Sequence, residues 1–187
     1  MNLVNEKLKE ISSNFIKLSE RCSSEIENTA NLIIKSLKNG GKVIFCGNGG
    51  SAADSQHLSA ELVGRYLKNR RSLASVSLTT DTSAITAIGN DFSFEEIFSR
   101  QLESIGNKGD ILYAITTSGK SKNILKALET ARKLGIQTIG ITGENGDNLS
   151  NLCDEVIKVP AIRTDRIQEM HIATGHLICE MIENELC

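Results

Sequence analysis

The sequence predicts an α/β fold built on a doubly wound, five-stranded parallel sheet. Two observations support this prediction. From residue 42 onwards, short apolar runs alternate with stretches of helical spacing, and loops rich in Gly, Ser and Thr follow two of the apolar runs. Strands that alternate with helices are typical of a parallel sheet covered by helices on both faces. Ligands bind such sheets beyond the carboxyl ends of the strands, so the polar loops indicate where a site is expected.

The spacing of apolar residues in the first part of the sequence predicts helix over residues 3–38. Apolar residues recur at helical spacing from Leu8 to Leu18 and again from Ile26 to Leu37. We expect a break near residues 22–24, which would make a helical pair, and an end at Gly40-Gly41. The apolar stripe of this pair must be buried somewhere. Residues 1–39 are therefore expected to be an N-terminal helical extension used in oligomerisation.

The strands and helices that follow can be placed in chain order. The strands are expected at 42–46, 73–78, 111–115, 138–141 and 155–159. The helices are expected at 52–67, 82–88, 94–104, 122–134 and 165–185, with a helical turn at 148–152. No repeat or linker divides the chain, so residues 1–187 are expected to form one domain.

Composition excludes several classes of protein. The chain has 187 residues, 40% hydrophobic and 24% charged, with a net charge of −2, so it has no general attraction to nucleic acid or acidic membranes. The basic residues Lys68, Arg70 and Arg71 are interpreted as a solvated helix end. No segment resembles a signal peptide or a membrane span. Five scattered cysteines without a C-x-x-C pair indicate reduced thiols. We expect a cytoplasmic protein with no nucleic-acid or membrane partner.

The first polar loop reads Gly47-Asn48-Gly49-Gly50-Ser51-Ala52. Glycines allow the backbone to approach a ligand closely, and the helix that follows presents free N–H groups, which suits a phosphate or a polyhydroxylated substrate. A plain tight turn is the alternative. The string also fits a weak dinucleotide-binding pattern, but the required acidic residue is missing because Asp81 comes too late.

The second polar loop reads Thr116-Thr117-Ser118-Gly119-Lys120-Ser121. Its four hydroxyls and the amides at the start of the next helix form a phosphate cradle that needs no cation. A helix cap is the alternative, but one Ser would satisfy it. A Walker A nucleotide site is excluded because Ala114 stands where that motif needs Gly.

Two pairs of side chains have the chemistry for metal binding or proton transfer. His57 and Glu61 are four residues apart and share one helix face, although a simple surface pair is the alternative. Gln168 and His176 lie on the last helix, about 12 Å apart along its axis, which is far for two ligands of one ion. A distorted helix or ligands from two subunits would relieve this. His171 is a weaker candidate because it faces away from His176.

The motifs together resemble the SIS-domain family of sugar isomerases, which has a flavodoxin-like fold. The resemblance is strongest to the members that act on sedoheptulose 7-phosphate. It rests on G-N-G-G-S-A-A-D-S-Q-H-L-S-A-E-L, L-T-T-D-T-S-A-I-T-A-I-G-N-D, T-T-S-G-K-S and Q-E-M-H-I-A-T-G-H, and it covers nearly the whole chain. The first string is highly specific, whereas the short loops are not.

The resemblance implies a role for each matching residue. One zinc ion per active site would be bound by His57, Glu61, Gln168 and His176, with Glu61 as catalytic base and His176 as catalytic acid. Substrate would contact Asn48, Gly49, Gly50, Ser51, Glu61, Asn90, Asp91, Thr116, Thr117, Ser118, Ser121, Asp165 and Gln168. The resemblance also implies a homotetramer with active sites between subunits. The expected reaction converts D-sedoheptulose 7-phosphate to D-glycero-D-manno-heptose 7-phosphate through an enediol, for the lipopolysaccharide or capsule of a bacterium.

The hydroxyl loop departs from the family pattern, which is closer to S-T-S-G-N-S. Thr116 keeps the hydroxyl. Lys120 adds a charge that would either favour phosphate, and so affect substrate preference, or simply point to solvent. Two alternatives belong to the same fold: a non-catalytic protein that binds a replication initiator, and an isomerase of another sugar phosphate. The presence of both Glu61 and His176 favours an enzyme over the first. A nicotinamide-dependent oxidoreductase is disfavoured by the missing acidic residue.

Overall fold

The computed structural model describes residues 2–187. Six helices are present in that range: α1 (Leu3–Lys38), α2 (Gly50–Val63), α3 (Thr82–Asp91), α4 (Ser99–Ile105), α5 (Lys122–Leu134) and α6 (Thr164–Leu186). The five strands are β1 (Val43–Gly47), β2 (Ser75–Ser77), β3 (Ile111–Ile115), β4 (Gln137–Gly143) and β5 (Glu155–Val159). Short 3-10 turns occupy Phe94–Glu96 and Asp147–Leu149. No helix within the described range combines the length and the hydropathy that a membrane span requires.

The sheet has the strand order β2-β1-β3-β4-β5, and every neighbouring pair is parallel. The predicted doubly wound parallel sheet is therefore confirmed. The chain moves outward from β1 to β2 and then returns to place β3 on the other side of β1. The carboxyl ends of β1 and β3 consequently flank the switch point of the topology, where such sheets bind ligands.

Alternation along the strands builds a core on each face of the sheet. On one face, Phe45 and Tyr113 pack with residues of α1, α2 and α6, including Leu58 and Ile178. On the other face, neighbouring strand residues such as Leu112 pack with α4 and α5. Because both faces are covered, the central strands β1 and β3 are buried along their whole length.

The N-terminal segment is one helix, not the predicted pair. Helix α1 runs for 36 residues, about 54 Å, without a break at residues 22–24. The segment contains no Gly or Pro to interrupt it, and the Ser23 hydroxyl donates back to the Ser19 carbonyl within the helix. Cys22 is buried between Leu18 and Ile26. The polar-looking junction therefore belongs to one continuous buried stripe.

Helix α2 ends earlier than the sequence predicts. It stops at Val63, and the Gly64 N–H donates to the Ala60 carbonyl at 2.8 Å. The predicted continuation to Leu67 is wrong because the backbone N–H groups of residues 66–68 donate to the distant carboxylate of Glu183 instead of to helix carbonyls.

Candidate active site

The glycine loop joins β1 to α2 at the switch point of the sheet. Gly49 has a φ of +58°, a conformation that residues with a side chain rarely adopt. A Cβ on Gly50 would lie 2.4 Å from the Gln168 side-chain nitrogen of α6. No side chain caps the start of α2. The loop therefore brings α6 close and leaves the positive end of α2 open to a ligand.

The hydroxyl loop lies at the end of the neighbouring strand, β3. Ser121 is the N-cap residue of α5, but its hydroxyl makes no capping hydrogen bond. The Thr116 hydroxyl accepts the Gly119 N–H at 3.3 Å, and the Ser118 hydroxyl accepts the Lys120 N–H at 3.2 Å. Several hydroxyls thus shape the loop, while that of Ser121 is not needed to cap the helix.

A pair of side-chain amides joins the glycine loop to the first turn of α5, which follows the hydroxyl loop. The side chains of Asn48 and Asn123 exchange two hydrogen bonds, each 2.9 Å long. Asn123 is buried. Sequence analysis did not identify Asn123, because a lone Asn in the first turn of a helix carries no signal for a partner 75 residues away.

Between the two loops lies a cavity of about 250 Å³. Its lining includes eight of the predicted substrate contacts: Asn48, Gly49, Gly50, Ser51, Thr116, Thr117, Ser121 and Gln168. The lining from the described residues carries no charged side chain, so hydroxyls, amides and helix N-termini are its polar groups. Ser118 and Lys120 line an adjoining cavity of about 200 Å³ that shares Thr117 and Thr164 with the first.

Three of the predicted metal ligands come together farther along the same two helices. His57 Nε2 lies 2.9 Å from His176 Nε2 and 3.3 Å from Glu61 Oε1. All three ligand atoms lie within 4.8 Å of one another. Tetrahedral zinc, with bonds of about 2.0–2.1 Å to nitrogen or oxygen, separates its ligands by about 3.3 Å. The donor set and its spacing therefore fit a zinc ion. We call His57, Glu61 and His176 the cluster.

A glycine on α6 allows the two helices of the cluster to approach. Gly175 packs against Leu58 so closely that a Cβ would lie 2.5 Å from both Leu58 methyl carbons. Gly175 precedes His176, and Leu58 follows His57. The close approach thus sets the distance between the two imidazoles.

Four other predicted site residues do not lie with the cluster within one chain. Gln168 lies against Gly50 in the cavity, two turns of α6 before His176. Asp165 is half-exposed and pairs with Arg163 at 2.6 Å. Asn90 and Asp91 are exposed at the end of α3, where the Asn90 amide donates to Asp91. The roles of these four residues remain predictions.

Burial shifts the pKa of two groups on the helices that carry the cluster, α2 and α6. Asp54, one turn before His57, has its pKa raised to about 6 by burial, opposed by the charge of His57. One of its carboxylate oxygens is buried without a hydrogen-bond partner among residues 2–187. His171 is 1% exposed, and burial lowers its pKa to about 4. His171 is thus a neutral core residue that lies apart from the cluster, as its helix face predicts.

The buried imidazole of His171 predicts a loss of stability in acid. Its pKa in the folded protein is lower than in the unfolded chain, so its contribution is complete above pH 6.5 and is lost as the pH falls. Between pH 7.5 and pH 4, the unfolding free energy of the wild type should fall by about 3 kcal/mol more than that of His171→Leu. Urea unfolding of both proteins at the two pH values measures this difference. Equal losses in the two proteins would contradict it.

The segment after α2 contains site residues that sequence analysis missed. The Tyr66 ring stacks on the His176 ring, with centroids 5.8 Å apart and planes inclined by 25°. The Arg70 side chain, interpreted above as solvated, is only 3% exposed and pairs with Glu183. The error has a simple cause: Glu183 lies 113 residues away in sequence, so no local pattern indicates that it covers Arg70.

Comparison with known proteins agrees with this geometry. Residues 7–143 match the SIS domain family. The chain is 53% identical over 173 residues to the phosphoheptose isomerase of Rhodospirillum rubrum, with 92% of each chain covered. It is 50% identical over 176 residues to that of Akkermansia muciniphila, covering 94% of this chain and 93% of the relative.

Solved structures give the same result. The phosphoheptose isomerase of Neisseria gonorrhoeae superposes with a TM-score of 0.92 at 39% identity, and 97% of each chain is covered. That of Francisella tularensis gives a TM-score of 0.93 at 36% identity, covering 97% of this chain and 96% of the other. The chain therefore belongs to the SIS-domain family and, within it, to the phosphoheptose isomerases.

Proposed function

We propose that the protein is an aldose–ketose isomerase that converts D-sedoheptulose 7-phosphate to D-glycero-D-manno-heptose 7-phosphate. The observation that carries the proposal is the cluster of two imidazoles and a carboxylate on the two helices that line the cavity. From Ser51 in the cavity to His57 the rise along α2 is about 9 Å. An extended sugar phosphate, held by its phosphate at one end, suits a site of this length.

The phosphate end of the substrate is assigned to the hydroxyl loop. Thr116, Thr117, Ser118 and Ser121 supply hydroxyls, and the start of α5 supplies N–H groups and the positive end of its dipole. The Ser121 hydroxyl makes no capping hydrogen bond to α5, which supports this assignment. Asn48, Gly49, Gly50 and Ser51 are proposed to contact the sugar hydroxyls.

The reacting end is assigned to Glu61 and His176. Glu61 removes the proton from C1 of the ketose, the C1–H electrons form the double bond of an enediol, and His176 gives a proton to the C2 oxygen. Glu61 then returns a proton to C2 while His176 takes the proton of the C1 hydroxyl, which leaves an aldehyde at C1. Glu61 Oε1 faces His57 at 3.3 Å, which leaves the second oxygen for the substrate proton.

We assign zinc binding to His57, Glu61 and His176. Because Gln168 of the same chain lies two turns of α6 away, we propose that the fourth ligand is a Gln168 brought to the cluster from a neighbouring subunit. The spacing of the first three side chains supports the assignment. Zinc in this position supplies Lewis-acid stabilisation of the negative charge that develops on the substrate oxygen. The orientation of the substrate and both proton transfers are the work of side chains and backbone groups.

We further propose a homotetramer with active sites between subunits. Leu8 of α1 is 59% exposed, although it lies on the same helix face as Ile26, which is buried. The first half of α1 therefore carries its apolar stripe beyond the core of its own chain. Asp165, Asn90 and Asp91, which lie outside the cavity, are proposed to complete the site of a neighbouring subunit.

The exposed stripe of α1 gives a prediction about assembly. Leu8→Asp places a charge in the proposed interface and should convert the tetramer to smaller species. Lys17→Asp, on the opposite face of the same helix, should leave the tetramer intact. Light scattering after gel filtration measures both, with the 20.3 kDa chain as the unit of mass. Loss of the tetramer in both variants, or in neither, would contradict the interface.

The proposed setting is the cytoplasm, where the product would supply activated heptose for a surface polysaccharide, either lipopolysaccharide or capsule. Nucleic acid and membranes are not proposed as partners. The test of the function is the ratio of kcat/KM for sedoheptulose 7-phosphate to that for ribulose 5-phosphate and fructose 6-phosphate, with NMR to identify the products. We expect the heptose to be preferred. Preference for a shorter sugar would assign the protein to another substrate.

A further inference from the structure

A buried ion pair lies next to the cluster and has no part in the reaction as derived above. Arg70 Nε lies 2.9 Å from Glu183 Oε1, and the two side chains are 3% and 2% exposed. Burial of two charges is costly, and it is tolerated only where further hydrogen bonds satisfy both of them. The partners of each ion therefore indicate what the pair holds in place.

Glu183 holds the segment that follows α2. Its carboxylate accepts the backbone N–H groups of Tyr66 at 3.1 Å and of Leu67 and Lys68 at 2.7 Å each. Burial alone would raise the pKa of Glu183, but these N–H groups and Arg70 hold it below its ordinary value. The carboxylate stays ionised and fixes three successive residues of an otherwise irregular segment.

Arg70 holds the end of α2. Its guanidinium donates to the carbonyl of Glu61 at 2.8 Å and to that of Leu62 at 2.9 Å. The last carbonyls of a helix have no partner within the helix, so a guanidinium beside them acts as a cap. The capped residue, Glu61, is the one that carries the carboxylate of the cluster.

The contacts of the two side chains lead to two members of the cluster, His176 through Tyr66 and Glu61 through its carbonyl. Glu183 sets the backbone of Tyr66, whose ring stacks on the His176 imidazole at 5.8 Å, while His57 lies against His176 at a centroid distance of 5.0 Å. Arg70 meanwhile holds the backbone of Glu61. Through backbone contacts, one ion pair thus controls the placement of two members of the cluster.

We propose that Glu183 and Arg70 are positioning residues for the cluster: they fix the end of α2 at Glu61 and press the Tyr66 ring against His176. The proposal deepens the proposed function and rests on it for the zinc and activity readouts, but not for the resonances of the metal-free protein. Residues that contact metal ligands and orient them, without binding the metal themselves, typically change metal affinity or activity by about 10–100-fold when they are replaced. We expect changes of this size in variants that remain folded.

The test uses three variants of the full chain. Tyr66→Leu removes the ring without touching the ion pair, Tyr66→Phe keeps the ring, and Arg70→Lys keeps the charge but loses the planar fork that reaches the carbonyls of α2. Gel filtration and thermal melting establish that each remains folded. Measurements are the chemical shifts of the His176 ring protons in metal-free protein, the zinc Kd from competition with a chromophoric chelator, and kcat and KM.

The ring current of the stacked Tyr66 side chain is expected to shift the His176 resonances of the wild type. Those resonances should move in Tyr66→Leu, move in the same direction in Arg70→Lys, and stay near the wild type in Tyr66→Phe. Zinc Kd and kcat should worsen by about 10–100-fold in the first two variants. Folded Arg70→Lys with wild-type resonances, or Tyr66→Phe as impaired as Tyr66→Leu, would overturn the proposal. If Arg70→Lys does not fold, Glu183→Gln replaces it, with the same expected shift.

The outcomes separate this proposal from the proposed function. Wild-type protein without isomerase activity, but with the expected resonance shifts, would remove the isomerase and keep the positioning role. If the wild type is active, and folded Tyr66→Leu and Arg70→Lys keep its resonances and its zinc Kd, the isomerase assignment stands and the positioning role is removed.

Discussion

Replacement of Glu61 by Gln is expected to lower kcat by about 10²–10⁴-fold or more, because this is the usual contribution of a positioned general base. The amide of Gln has nearly the same shape as the carboxylate but cannot accept the C1 proton. The backbone of Glu61 is held by Arg70, so the fold should not change. Steady-state kinetics with sedoheptulose 7-phosphate measures the loss, and circular dichroism establishes that the variant is folded.

A matched control separates the loss of the base from the loss of a surface charge. Glu129→Gln makes the same change at an exposed position of α5, away from the cavity and the cluster, and should keep wild-type kcat. A Glu61→Gln variant that turns over at nearly the wild-type rate would contradict the proposed role of Glu61. Equal losses in both variants would indicate an effect of overall charge.

Replacement of His57 by Ala is expected to remove bound zinc and most of the activity. His57 Nε2 lies 2.9 Å from His176 Nε2 and 3.3 Å from Glu61 Oε1, so its loss removes one of the three ligands whose spacing fits zinc. Zinc per chain after dialysis, measured by atomic absorption, should fall well below one, and kcat should fall with it.

The neighbouring residue provides the control for His57. The Gln56 side chain donates to Thr79 and not to the cluster, so Gln56→Ala should retain its zinc and its activity. Full zinc occupancy in His57→Ala would contradict the assignment of His57 as a ligand. Loss of zinc with unchanged kcat would instead separate the metal from the reaction.

The fold could be predicted from the sequence where local patterns and burial agree. The strands β1 and β3 are short apolar runs bounded by glycine or polar loops, and their burial on both faces requires a parallel sheet covered by helices. The break in α1 was predicted wrongly because Cys22-Ser23-Ser24 looks like a junction, whereas Cys22 continues the buried stripe. The end of α2 was missed because a side chain from α6 determines it.

The candidate site divides in the same way. The two loops and the His57–Glu61 pair are local in sequence, so their spacing makes them candidates, and the resemblance to the family selects them over a plain turn, a helix cap and a surface pair. Their meeting with His176 depends on the close contact of Gly175 with Leu58, which no periodicity shows. Arg70 and Tyr66 owe their places to Glu183, which follows them by more than 110 residues. Long-range polar contacts are thus the part of the site that sequence reasoning could not reach.

The most direct test of a metal-assisted isomerase is NMR of the purified protein with sedoheptulose 7-phosphate before chelation, after chelation and after zinc is restored. We predict that the aldose product appears, that its formation stops when the metal is removed, and that it resumes with zinc. Activity that survives complete chelation would contradict the metal assignment and leave proton transfer to Glu61 and His176 alone. No aldose in any sample, from a folded oligomer, would contradict the proposed reaction itself.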